Sequence, residues 1–121
     1  MNAEKFSIRK RLKSFSYAIE GLVQFLRSEH NAWIHLAATF ITAIAAWRLR
    51  VSSSEAIALT LVVGLVWVTE IINTCLERMA DLISEEQHPG IKYIKDLAAG
   101  AVLVAAIIAV IVGSLIFIPK C

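Results

Sequence analysis

Apolar side chains recur at Ile8, Leu12, Phe15, Ile19, Leu22 and Leu26. That alternation of four and three marks one face of a helix. Lys10, Lys13, Glu20, Gln24 and Arg27 fall largely elsewhere on the wheel. The spacing predicts a basic amphipathic helix over about 6–28, of the kind that lies in the headgroup region of an anionic leaflet. A helix folded onto a neighbouring subunit fits the same pattern. Three longer apolar stretches follow. Ala32 to Trp47 is interrupted only by His35, Thr39 and Thr42. Ala56 to Val68 is nearly uncharged and becomes long enough to span if it continues through Glu70 to about Leu76, and Leu97 to Ile118 is long enough as it stands. Crossing a ~30 Å hydrocarbon core takes roughly 20 residues. The pattern therefore predicts an all-α integral membrane protein: the surface helix, then transmembrane helices over about 31–48, 55–78 and 94–118.

The punctuation agrees. Ser52-Ser53-Ser54-Glu55 reads as an N-cap and first turn opening the second span. His88-Pro89-Gly90 reads as a turn that breaks the chain before the last helix. In that helix Ala101, Ala105, Ala109 and Gly113 repeat every four residues, a small-residue seam suited to close helix packing.

Composition strengthens the membrane reading. The 121 residues are 58% hydrophobic and 18% charged, where soluble domains carry about a quarter of their residues as charges. The net charge of +2 says little about partners, and no nucleic-acid partner is expected. The distribution of charge says more. Lys5, Arg9, Lys10, Arg11, Lys13, Arg27, Arg78, Lys92 and Lys95 lie before the first span or between the second and third, against Arg48, Arg50 and Lys120 on the other side. The positive-inside rule then places the N-terminal arm and the 78–95 loop in the cytoplasm, with the 48–54 connection and the C-terminus outside. Cys75 and Cys121 have no metal-like spacing and read as two unpaired thiols. The first apolar run begins about thirty residues in, so no cleavable signal peptide is expected. With no soluble domain, any chemistry belongs at the membrane.

The residues that carry chemistry sit on the second span. At about 100° per residue, Glu70, Asn73, Glu77 and Asp81 fall near 0°, −60°, −20° and +20° on the wheel. Four polar groups thus share one face, graded from within the membrane to its cytoplasmic edge. Each ionisable group in a span costs a few kcal/mol and so marks a functional pathway or site. For Asp81 and Arg78, a solvated helix end is an equally simple reading. Glu29-His30-Asn31 joins the surface helix to the first span, with His35 about a turn deeper, where a hydrogen-bonded packing role and a ligand role fit equally. Glu86-Gln87-His88 and Lys95-Asp96 flank the loop before the third span. Carboxylates at such a boundary suit Mg²⁺, whose remaining ligands are phosphates and water, and a lysine balances phosphate charge. No GxxxxGK[ST] loop is present, and Gly21, Gly64, Gly90, Gly100 and Gly113 are scattered, which excludes a conventional nucleotide fold.

Glu70-Ile-Ile-Asn73-Thr74-Cys-Leu-Glu77-Arg-Met-Ala-Asp81 resembles the E-x-x-N-[ST]-x-x-E-x-x-x-D signature of the small prokaryotic diacylglycerol and undecaprenol kinases. Lys95-Asp96-Leu-Ala-Ala-Gly100 resembles their second signature, and the spacing from Glu29 to Asp96 fits without insertion. The resemblance covers nearly the whole chain and implies one lipid-kinase domain over 1–121, assembled as a homotrimer with active sites between subunits. It implies ATP as co-substrate, Mg²⁺ as cofactor and a membrane lipid alcohol as acceptor, in a multi-pass protein of the bacterial cytoplasmic (inner) membrane. By position, Glu70 corresponds to the proton acceptor, and Glu29 and Glu77 to the Mg²⁺ ligands that position ATP. Lys10, Tyr17, Glu86, Gln87, His88, Lys95 and Asp96 correspond to further ATP contacts. Asn73, Asp81 and Ala99 correspond to supporting or substrate positions. Lys10 stands where proteobacterial enzymes have arginine, keeping the charge but losing bidentate geometry.

The Glu29-x-Asn31-x-x-x-His35 junction, the His88-Pro89 pair and the Ile116-Phe-Ile-Pro-Lys120 ending resemble the undecaprenol branch more closely. Two other functions fit parts of the pattern. A small proton-coupled transporter or channel subunit would also use intramembrane carboxylates, but it has no need of the Glu29, Glu86 and Lys95-Asp96 set. A noncatalytic assembly protein would use the polar face only to join helices.

Overall fold

The computed structural model describes residues 6–84, 86 and 88–121. Four helices follow one another: α1 (Ile8–Ser28), α2 (His30–Arg48), α3 (Ser53–Ile83) and α4 (Pro89–Phe117), with a short 3₁₀ turn at Ile118–Lys120. No strand occurs among the described residues. The chain divides into two units between Ile34 and His35, within the first turns of α2.

In the first unit, α1 is opened by Ser7, whose hydroxyl accepts from the Lys10 amide at 3.4 Å. Ile8, Leu12, Phe15 and Ile19 form the expected apolar stripe and are all exposed. At the far end Ser28 Oγ donates to the Gln24 carbonyl at 2.8 Å, and Glu29 adopts extended backbone between the two helices.

In the second unit α3 and α4 form an antiparallel hairpin, the one extensive helix pairing among the described residues. Ser52 caps α3 as expected, and the box is reciprocal: its hydroxyl accepts from the Glu55 amide, and Glu55 accepts from the Ser52 amide at 2.9 Å. The two satisfy otherwise orphaned amides of the helix start. At the same end Lys120 lies 3.1 Å from Glu55, joining the close of α4 to the opening of α3. The α2–α3 connection turns at Arg50, which holds φ at 52°. Val51 N–H reaches back to the Ala46 carbonyl at 3.2 Å, the bond of a Schellman ending that glycine ordinarily serves.

One expectation needs correction. His88-Pro89-Gly90 is not a free turn but the start of α4: His88 is the N-cap, Pro89 begins the helix, and Gly90 N–H donates to His88 Nδ1 at 3.0 Å. Proline suits the first helical position because its missing N–H would have no partner there. The small-residue seam is only partly used within the chain. Ala98, Ala105 and Ile116 are the buried residues of α4, whereas Ala101 is exposed and a Cβ at Gly113 would meet nothing within 4 Å.

α3 and α4 are the two described helices long and apolar enough to cross a membrane, by length and composition. α3, with 31 residues, is about 46 Å long at ~1.5 Å per residue. That exceeds the hydrocarbon core by several turns and carries the end of α3 past the apolar region. α2 has 19 residues and a polar side led by His35 and Thr39. No large side chain among the described residues is fully buried, and Phe40, Leu61, Ile72, Leu103 and Val110 are exposed. Apolar exposure on this scale calls for lipid or partner chains around the helices.

Candidate active site

The packed stripe of α3 is Leu59, Val62, Glu70, Asn73 and Ala80. Leu59, Val62 and Ala80 fit it by being apolar; Glu70 and Asn73 sit in it although they are polar. Glu70 is 5% exposed and Asn73 8%. Glu77, one turn beyond Asn73, is half-buried, and Asp81 is exposed. Burial within the chain therefore falls along this face, from Glu70 and Asn73 to Asp81. Asn73 Nδ2 donates to Glu77 Oε1 at 3.2 Å, which fixes the amide with its carbonyl turned away. That carbonyl, Asn73 Oδ1, is buried and has no hydrogen-bond partner among the described residues.

Glu70 does have a partner. His35 Nε2 lies 3.3 Å from Glu70 Oε2. The imidazole is tilted at 60° to the Trp67 ring, with centroids 6.1 Å apart. Trp67 Nε1–H donates to Thr39 Oγ1 at 2.8 Å, and Thr39 in turn donates to the His35 carbonyl at 2.7 Å. No local spacing exposes this cluster, because its residues come from two helices. The one available signal was a histidine near the edge of an apolar segment. A mainly apolar groove of about 280 Å³ is lined by His35, Thr42, Val66, Trp67, Ala106 and Val110, among others.

A second feature forms where the α3–α4 hairpin opens. Ser84, Glu86, His88, Lys92, Lys95 and Asp96 line a cavity of about 460 Å³. Glu86, His88, Lys95 and Asp96, far less obviously neighbours in sequence than in space, are thus brought together. Lys95 Nζ donates to Asp81 Oδ1 at 2.5 Å, tying α4 to α3, and Lys92 pairs with Asp96 one turn along α4 at 2.5 Å. Lys92 and the Asp81–Lys95 pairing were not foreseen.

Lys10, Tyr17 and Glu29 belong to the first unit, where Lys10 and Tyr17 are exposed and Glu29 is half-buried. Gln87 lies outside the described residues. Ala99 is exposed beside the buried Ala98. Among the described residues, no group of three or more His, Cys, Asp and Glu gathers closely enough to hold a metal by itself. Cys75 and Cys121 are both free.

A buried carboxylate thus sits on a hairpin of two membrane-length helices, with a charged cavity where the hairpin opens. Comparison with known proteins supplies the class. Residues 16–117 match the family described as prokaryotic diacylglycerol kinase. The chain is 38% identical over 113 residues to an undecaprenol kinase of Bacillus subtilis, covering 93% of this chain and 92% of that one. It is also 38% identical over 109 residues to a diacylglycerol kinase of Synechocystis, covering 89% of this chain and 62% of the relative. A diacylglycerol kinase of Escherichia coli is 33% identical over 108 residues, with 83% and 82% covered. The chain belongs to the prokaryotic diacylglycerol kinase family. It is a lipid kinase, a phosphotransferase with an alcohol acceptor, and ATP is the phosphate donor such a kinase implies.

Proposed function

We propose that this chain is an ATP- and Mg²⁺-dependent kinase that phosphorylates the hydroxyl of undecaprenol at the cytoplasmic face of the bacterial inner membrane. It works as a homotrimer of three-span protomers with the N-terminus inside, the whole of 1–121 forming one domain. The observation that carries this reading is Glu70, the one ionisable residue on the buried stripe of α3 and only 5% exposed. The helix rise from Glu70 to Glu77 is about 10 Å at ~1.5 Å per residue. Glu70 therefore meets a lipid alcohol just inside the membrane, while Glu77 works nearer water and the lipid never leaves the bilayer.

In this reading Glu70 accepts the hydroxyl proton as the alcohol oxygen attacks the γ-phosphorus and the bond to the bridging oxygen of ADP breaks. Phosphoryl transfer depends chiefly on alignment and on neutralising oxygen charge. Lys95, His88, Glu86 and Asp96 receive the nucleotide at the hairpin opening, with Gln87, Lys10 and Tyr17 as further contacts. Asn73 supports the acceptor, and Asp81 holds Lys95; Ala99 lies on the exposed side of α4, where a neighbouring subunit or substrate would meet it. Mg²⁺ asks for one or two carboxylates with phosphates and water completing its shell, and the half-buried Glu77, steadied by Asn73, fits that donor chemistry. Glu29 and Glu77 would hold the ion, which when bound neutralises charge on the β- and γ-phosphates.

The junction and ending around Asn31, His35 and Lys120 favour undecaprenol, as does the near-complete coverage of the Bacillus relative. Diacylglycerol is the second reading, favoured by the relatives from Synechocystis and Escherichia coli. The transporter reading offers no account of the cavity around Lys95 and Asp96. The test is transfer of label from γ-labelled ATP to undecaprenol, diacylglycerol and ceramide presented in turn, with and without EDTA. Strongest transfer to undecaprenol, abolished by EDTA and restored by Mg²⁺, is expected. Preference for diacylglycerol or ceramide refutes the substrate assignment, and transfer that survives EDTA refutes the metal assignment.

A further inference from the structure

The Glu70 carboxylate is not held by its own helix alone. Two rungs join α2 to α3: His35 to Glu70, and Thr39 to Trp67. On α2 the two residues are four apart and on α3 three apart, so each pair occupies one helix face. The Thr39 hydroxyl gives its single proton to the His35 carbonyl and accepts the indole N–H, which fixes its rotor. Trp67, so anchored, stands against the imidazole. A histidine placed only to fill space would need no such backing. With its side chain 21% exposed and that of Glu70 7% exposed, water competes little for the contact.

We propose that His35 is a positioning residue for the proton acceptor, its Nε2–H bonded to Glu70 Oε2 so that Oε1 faces the lipid hydroxyl. This rests on the reading of Glu70 as the base. In the transfer step the alcohol O–H bond breaks and its proton goes to Glu70 Oε1. The alcohol oxygen bonds to the γ-phosphorus, and ADP departs with the electrons of the broken P–O bond. His35 exchanges no proton in that step; it fixes the direction of the carboxylate. Misplacing a reacting group by about 1 Å costs on the order of 10²-fold in rate, so orientation is the quantity at stake.

The test compares His35→Ala, His35→Gln and Glu70→Gln in the labelled-ATP assay, with kcat and the KM for ATP and for lipid measured separately. His35→Ala should lower kcat by about 10–100-fold, the usual effect of losing a group that orients a functional ligand, with both KM values within about twofold. His35→Gln, whose amide N–H reaches close to the Nε2 position, should recover most of the loss. Thr39→Val, which removes the hydroxyl behind the ring, should lower kcat less, in the same direction and without moving KM. Full turnover in His35→Ala, or His35→Gln no better than alanine, overturns the proposal while a dead Glu70→Gln leaves the base in place. Should Glu70→Gln itself keep full turnover, the base assignment fails and His35 with it. If His35→Ala does not fold, His35→Gln and Thr39→Val carry the decision: wild-type kcat in Thr39→Val, or a loss in KM alone in either, overturns it.

Discussion

Glu70→Gln separates chemistry from packing because it changes charge and almost nothing else. The side chain is 7% exposed, and glutamine fills the same volume, so no cavity opens. Its amide still reaches His35, now 3.3 Å from Glu70 Oε2. The weaker hydrogen bond to His35 is offset by no longer holding a carboxylate away from water, and the net change in stability should stay within about 1 kcal/mol. The base is gone, however. A positioned general base contributes about 10²–10⁴-fold, or roughly 3–5 kcal/mol of barrier at 1.36 kcal/mol per decade. Turnover is measured with labelled ATP and lipid in mixed micelles, fold by thermal unfolding in the same detergent, and nucleotide affinity with a non-hydrolysable ATP analogue. The expected result is a variant that unfolds as wild type does, binds nucleotide normally and turns over at least 100-fold more slowly. A folded variant within about threefold of wild-type turnover would refute the reasoning.

Two further outcomes follow from the same geometry. The Asp81 and Lys95 side chains are 55% and 37% exposed, and exposed ion pairs contribute about 0.2–1 kcal/mol. Lys95→Met should therefore barely alter unfolding, yet raise the KM for ATP about tenfold or more, since a hydrogen bond to a charged group contributes about 1.5–3 kcal/mol. Asp81→Asn should change that KM less than threefold; equal effects of the two changes would mean that Lys95 serves only the hairpin. Arg50 holds φ at 52°, which costs a non-glycine residue roughly 1–2 kcal/mol. Glycine relieves it but adds about 0.4–1 kcal/mol of unfolded-chain entropy, so Arg50→Gly should be neutral to about 1.5 kcal/mol stabilising, and a clear fall in unfolding temperature contradicts this account of the turn.

The sequence by itself determined the helices and the stripe. Apolar periodicity and a serine–glutamate box are local properties, and α1 and the opening of α3 lie where they put them. The shared face of Glu70, Asn73, Glu77 and Asp81 needs only the helical repeat, whereas the fall in burial from Glu70 to Asp81 reflects what packs against each turn. The family signature was legible for the same reason, because both of its motifs are contiguous. Tertiary structure decided what reaches those residues. His35 is thirty-five positions from Glu70, Thr39 twenty-eight from Trp67 and Asp81 fourteen from Lys95. Such contacts depend on which helix faces pack together, and no local repeat encodes that. The redefinition of His88-Pro89 from a turn to a helix start came the same way: proline both ends helices and opens them, and only the path of α4 distinguishes the two.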